Sequence, residues 1–353
     1  MKKKNVFLVY TEYHLMYAVS VVIQRFSSKN YSNVIIITKN DSKRPLPKNL
    51  NLEGLPIHFK VLEGQERSGK VSYKDSSYIK NLSKQKINYF VSFLDNTPYF
   101  YYLHFYLNKK GAKIILAPDG AKPYMSMEGF TFLSQFRYTI WLYLNLFKRK
   151  MFLPFWLMTS DKIYAKSKLI NELWVPFSNS LKTNRKHNIE VIELMPNTKV
   201  VGAIFKLFNV AENIRNSSFE NAILYVNHPF SKSVGEDLEL QILKEILSRN
   251  PKIKFFFKLH PLTSDRQRKA FDKLKNVTIV QYKIPAELII SMFSNSVILS
   301  FWSNGILTNN GSCRFFWLVN LCKVYLGYNL VNLAIYPDHI KLLNSVDDLK
   351  FDF

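Results

Sequence analysis

Apolar runs of about five residues recur along the chain, separated by polar turns and by longer stretches whose apolar residues fall three and four apart. In the first half the runs stand at 6–10, 34–38, 57–62, 89–94 and 113–117, with further strand candidates at 160–165 and 191–193. Helical spacing follows at 15–26 and, in an almost wholly aromatic form, at 99–107. The runs are apolar with little alternation and rich in β-branched and aromatic residues, which suits strands buried on both faces. Such strands alternating with helices predict an α/β fold built on parallel sheets.

From 209 to 221 the pattern turns polar, with Asn213, Asn216, Ser217 and Ser218. A linker is expected there, between a domain of residues 1–212 and one of residues 213–353. The alternation then resumes. Strands are expected at 222–226, 254–259, 277–280 and 297–299, helices at 236–248, 265–274 and 285–293, and another helix starting within 303–309. At 353 residues and 47% hydrophobic, the chain has ample material for two cores.

Three strand-to-helix junctions of the second half carry polar chemistry: Lys258-Leu259-His260-Pro261, Ile284-Pro285-Ala286-Glu287 and Ser300-Phe301-Trp302-Ser303-Asn304-Gly305. Pro261 is expected to end its strand, because proline offers the ladder no N–H, and that leaves Lys258 and His260 at the carboxyl end. Junctions of this kind share one edge of a parallel sheet and converge on one crevice. Cations and hydroxyls beside helix N-termini suit a phosphate, and a carboxylate such as Glu287 suits paired ribose hydroxyls. Together they describe a nucleotide site. In the first half, 113–117 runs into Pro118-Asp119-Gly120, where a glycine free to take positive φ holds a carboxylate on a tight turn; an ordinary turn aspartate is the alternative. Thr11 and His14 follow the first strand in a loop, His14 either lining the acceptor side of a cleft or serving as a cap or core residue. His228-Pro229 competes with His260-Pro261 but lacks the preceding lysine.

Charge narrows the partners. Lys+Arg 49 against Asp+Glu 26 leaves +23, which favours a nucleotide, nucleic acid or an acidic lipid surface, although AT-rich codons also enrich Lys, Asn, Ile, Phe and Tyr. Cys313 and Cys322 lack the further Cys or His of a zinc site or disulfide framework, so a reducing, cytoplasmic setting is expected. The apolar run after Lys2-Lys3-Lys4 is interrupted at 11–14 with no small-residue cleavage site following, and reads as a first strand rather than a leader. Residues 130–158 are strongly aromatic, but Arg137 and Lys148-Arg149-Lys150 divide them into pieces of about ten residues, short of the roughly 20 that span a bilayer. That mixture predicts either core helices with basic ends or a segment lying in the interface of an anionic membrane.

No Gly-x-Gly-x-x-Gly follows the first strand and no Gly-Lys-Ser/Thr is present, which argues against a dinucleotide oxidoreductase or a P-loop NTPase. The Asp-x-Asp pair that often holds a metal in glycosyl transfer is also missing. Lys258-x-His260-Pro261, then Pro285-Ala286-Glu287 and the serine-bearing turn 300–303, with Asp119-Gly120 upstream, resembles the motif set of bacterial sialyltransferases. These include the lipooligosaccharide sialyltransferases and the capsule polysialyltransferases, and the order of motifs runs from Thr11 to Ser303.

The resemblance implies a GT-B fold, two Rossmann-like domains facing across a cleft. It implies inverting, metal-independent transfer of sialic acid from CMP-sialic acid to a terminal sugar of surface lipooligosaccharide or capsule. Asp119 is then the general base, and His260 contacts the phosphate and supports the leaving group. Lys258 and Glu287 hold cytosine and ribose and Ser303 donates to the phosphate, with Pro261, Ser300 and Asn304 on the same nucleotide side. Thr11, His14 and Gly120 fall on the acceptor side. No metal or other cofactor and no nucleic acid is expected. The expected partners are CMP-sialic acid, a glycan acceptor and, peripherally, an anionic membrane reached from the cytoplasm. Pro118 departs from the family where a second acid is usual, and Asn304 where a second Ser or Thr is usual. The same residues are compatible with another donor, CMP-Kdo or a nucleoside diphosphate sugar, and the charge alone with a non-catalytic protein that binds membrane or nucleic acid.

Overall fold

A computed structural model describes residues 2–39, 47, 50–66, 71–120, 122–124, 132–154, 165, 167–178, 181, 186–215, 217–228, 233–281, 284–301, 303–326 and 337–349. The chain divides into two units, Met1–Asn209 and Val210–Phe353.

The first unit runs β1 (Lys3–Val9), α1 (Glu12–Arg25), β2 (Tyr31–Lys39), β3 (Ile57–Gln65), α2 (Tyr73–Ser83), β4 (Tyr89–Ser92), α3 (Pro98–Asn108) and β5 (Lys113–Leu116). A 3₁₀ turn (Lys122–Tyr124), α4 (Phe132–Lys148), β6 (Glu172–Val175), β7 (Asn188–Val191) and α5 (Thr198–Leu207) complete it. Its sheet has the order β3-β2-β1-β4-β5-β6-β7, and every pairing is parallel. The first strand therefore lies inside the sheet, and the direction of winding reverses between β1 and β4, the place where open α/β sheets bind ligands. α1 is buried from His14 to Ile23, as a helix that is apolar on most sides must be.

The second unit runs α6 (Glu212–Arg215), β8 (Phe219–Glu220), β9 (Ala222–Val226), α7 (Ser233–Arg249), β10 (Lys254–Lys258), α8 (Asp265–Asp272), β11 (Val277–Ile279), α9 (Ala286–Ile290), β12 (Phe293–Ser294) and β13 (Val297–Ser300). A 3₁₀ turn (Asn304–Leu307), β14 (Arg314–Trp317), α10 (Val319–Leu326) and β15 (Ile340–Leu342) follow. The parallel sheet has the order β11-β10-β9-β13-β14-β15 and reverses between β9 and β13; β8 and β12 form a separate parallel pair. Each unit has its own apolar core, which includes β1 in the first and β9 in the second.

Several expectations change. Arg137 does not break 130–158 into short pieces: α4 is one continuous helix of 17 residues, because Arg137 lies on an exposed face where a charge costs little. The helix expected at 285–293 stops at Ile290, and Phe293–Ser294 pairs with β8 instead. The helix expected within 303–309 is a single 3₁₀ turn. The polar stretch 209–221 contains α6 and β8. Of the strand expected at 160–165, residues 160–164 lie outside the described residues and Ala165 sits in a turn with φ +58°. Among the described residues no helix is long and apolar enough to cross a membrane.

Candidate active site

In the first unit Thr11 caps α1, its Oγ1 accepting the His14 N–H at 3.2 Å, so His14 stands in the first helical turn and not in a loop. The Tyr10 N–H donates to His14 Nδ1 at 3.3 Å. The imidazole stacks on Phe93, just past β4, with ring centroids 4.5 Å apart and planes 12° apart, and meets Tyr10 and Tyr13 edge-on. With Nδ1 accepting a main-chain N–H, the neutral ring carries its proton on Nε2, which lies 3.1 Å from Oδ1 of Asp119. His14 is 1% exposed and Asp119 33%. Asp119 leaves β5 between buried Pro118 and Gly120, whose φ of +54° makes the turn. A buried N–H thus orients a carboxylate that keeps access to solvent. Such a group can take a proton from a hydroxyl.

Buried polar groups brace the same sheet edge. The Tyr10 hydroxyl pairs with Thr97 Oγ1 at 2.6 Å, and Thr97 caps α3 by accepting the Phe100 N–H. Glu66, past the end of β3, accepts the Tyr99 N–H, and Arg149 Nη2 donates to the Glu66 carbonyl at 3.0 Å. Burial pushes the Glu66 carboxyl up to about 7. Arg149, between exposed Lys148 and Lys150, is buried.

In the second unit Asn227 follows β9 at the reversal point. Its N–H donates to the Lys258 carbonyl at 3.0 Å, and its side-chain oxygen accepts the His260 N–H at 3.2 Å and the Thr263 hydroxyl. β10 therefore stops at half-buried Lys258, where the neighbouring side chain takes over the main-chain bonding, rather than at Pro261, which is exposed in the turn beyond. The His260 carbonyl accepts from Thr263 Oγ1 at 2.7 Å and Arg268 Nη2 at 3.2 Å. The Leu262 N–H donates to His260 Nδ1 at 3.1 Å, so the proton of this neutral imidazole also sits on Nε2. Asn227 is held in turn by Glu239, which accepts its Nδ2 at 2.8 Å together with the Tyr225 hydroxyl and Gln267 Nε2. Glu239 is fully buried, and burial raises its carboxyl to about 8. Half-buried His228, one residue past Asn227, is pulled down to about 4 by burial.

The third junction is a relay of hydroxyl caps. Fully buried Ser300 accepts the Ser303 N–H on Oγ at 2.9 Å, and Ser303 Oγ accepts the Gly305 N–H at 3.2 Å. A Cβ at Gly305 would stand 2.8 Å from the Ala286 Cβ and 3.7 Å from Val226 Cγ1. The missing side chain thus lets the 3₁₀ turn close on the start of α9 and the end of β9, bringing Ser303 near the turn that carries buried Glu287. Asn304 is exposed. Because α9 and the 3₁₀ turn are so short, the anion affinity expected of helix N-termini reduces here to individual N–H and hydroxyl donors. Among the described residues no three His, Cys, Asp or Glu side chains gather as a metal site requires.

The family model for alpha-2,8-polysialyltransferases matches residues 1–311. The chain belongs to the alpha-2,8-polysialyltransferase family. It is an enzyme, a glycosyltransferase that depends on CMP-sialic acid. Among solved structures it is similar to the GT-B domain of a sialyltransferase from Photobacterium damselae (11% identity, 90% of this chain and 91% of that one, TM-score 0.51). It is also similar to a 2,6-sialyltransferase from Photobacterium sp. JT-ISH-224 in a complex with CMP and lactose (12%, 90% and 71%, 0.54). A UDP-GlcNAc 2-epimerase from Neisseria meningitidis is as near (12%, 86% and 79%, 0.53). At these identities the likeness establishes the fold, GT-B with two Rossmann-like domains, and the family match carries the activity. No curated protein matches the sequence.

In this polysialyltransferase-family chain, sequence reasoning missed the residues that hold the motif loops. They are Asn227, Glu239, Thr263, Gln267 and Arg268 around His260, and Tyr10 and Phe93 around His14. Asn227 left a signal, being the first polar residue after a wholly apolar strand. Glu239 left none, because a glutamate in a helix of mixed polarity reads as solvated.

Proposed function

We propose that the chain transfers sialic acid onto a sialic-acid-terminated capsule glycan by a single inverting displacement that needs no metal. The observation that carries this reading is the Asp119 carboxylate, oriented by buried His14 at 3.1 Å. Asp119 takes the proton of the acceptor hydroxyl as its oxygen attacks the anomeric carbon of the donor. The bond from that carbon to the phosphate oxygen breaks, and CMP leaves with the bonding electrons. Lys258, the Nε2 proton of His260 and Ser303 stabilise the charge on the departing phosphate, and Glu287 holds the ribose hydroxyls. Donor and acceptor are both anionic, which the net charge of +23 favours. Capsule is preferred to lipooligosaccharide because an alpha-2,8 linkage of the kind named by the family joins one sialic acid to another. Two free cysteines suit work in the cytoplasm.

The test combines binding with transfer. CMP is expected to raise the melting temperature while UDP and GDP do not. Asp119→Ala should keep the CMP shift and lose transfer by about 10²–10⁴-fold, and EDTA should leave the rate unchanged. Full activity in Asp119→Ala, or a retained anomeric configuration in the product, overturns the mechanism.

A further inference from the structure

α4 is an amphipathic helix turned inside out. Its buried face presents Gln135, Thr139, Asn145 and, one residue past its end, Arg149 to the interior, beside Leu142, Leu146 and half-buried Trp141. Its exposed face carries Leu133, Phe136, Ile140, Leu144 and Phe147, spaced three or four apart and therefore lying in one stripe along the helix. Phe147 is 68% exposed. Of the eleven exposed large apolar side chains among the described residues, seven fall between 132 and 152, so this is a patch and not the scatter normal for a protein surface.

Charge identifies what covers the patch. Exposed Arg137 and Lys148 flank the stripe and exposed Lys150 follows it, whereas the sequence has no Asp or Glu from 129 to 160. A second copy of this chain seated on the stripe would bring like charges together. We infer that α4 lies in the headgroup region of an anionic bilayer, its axis along the membrane plane, the stripe entering the acyl boundary and the three cations at the phosphates. This inference does not depend on the reading of Asp119 or of the nucleotide site.

The experiment is co-sedimentation of the full-length protein with phosphatidylcholine vesicles with and without phosphatidylglycerol. The protein should bind the anionic vesicles, bind neutral ones more weakly, and lose affinity as salt is raised. Phe136→Ser, Ile140→Ser and Phe147→Ser together should weaken binding by about tenfold or more, with the melting temperature and transfer to a soluble acceptor retained. Arg137→Glu with Lys148→Glu should abolish the preference for anionic vesicles while leaving the apolar stripe intact. A wild-type protein that stays in solution with anionic vesicles overturns the inference, as does a triple variant that binds like wild type. A wild-type dimer in light scattering that the triple variant converts to a monomer, with no vesicle binding, assigns the stripe to a second copy and overturns it equally.

Discussion

A carboxylate works as a base when its orientation is fixed while its charge stays hydrated, and Asp119 meets both conditions because the ordering group, His14, carries the burial. His14→Ala is expected to lower kcat on the order of 10²-fold with little change in the KM for donor, since a misplaced reactive group costs about that much. His14→Gln retains an N–H donor and should recover part of the loss. A histidine serving only as core predicts the opposite pattern, a lower melting temperature with unchanged turnover of the folded fraction. The turn that carries Asp119 was legible from Pro118 and Gly120 on either side of it. Its pairing with a residue 105 positions away was not, because contact between distant residues follows from strand order and not from any local pattern.

At the level of elements, Gly305 decides how closely the Ser303 turn approaches α9. Gly305→Ala forces the Ala286 Cβ or its backbone to move and should cost about 1–3 kcal/mol, with a smaller CMP-induced shift in melting temperature. Gly311→Ala is the control, having no atom within 4 Å of a built Cβ and a loop position, and should leave both readings unchanged. Most buried strands were legible, since a run with no polar residue has few alternatives to the middle of a sheet. α2 and α5 were not anticipated, and α4 was divided wrongly. A helix is recognised by the contrast between its faces, which is reversed in α4, where the exposed stripe is the apolar one.

For the whole molecule, each unit buries a carboxyl that prefers its proton: Glu66 at about 7 and Glu239 at about 8, both raised by burial from 4.5. The folded state holds protons that the unfolded chain releases, so this contribution is complete below pH 4.5 and is lost as pH rises through the folded values. His104 and His228, both lowered by burial to about 4 from 6.5, act in the opposite sense and lose stability as pH falls below 6.5. Between pH 6.5 and 8 only the carboxyls remain among these four groups, and the melting temperature is expected to decline across that window. Each contributes at most about 1.4 kcal/mol per pH unit, and Glu239→Gln should flatten the slope in a pH series of thermal melts. By itself the sequence determined the α/β class and the turn that presents Asp119, because apolar runs and turn residues act locally. The tertiary structure alone decided that His14 serves Asp119, that Asn227 and not Pro261 ends the strand before His260, and that the aromatic helix faces outward. Each of these depends on which strands become neighbours, and strand order is settled by burying the whole sheet at once.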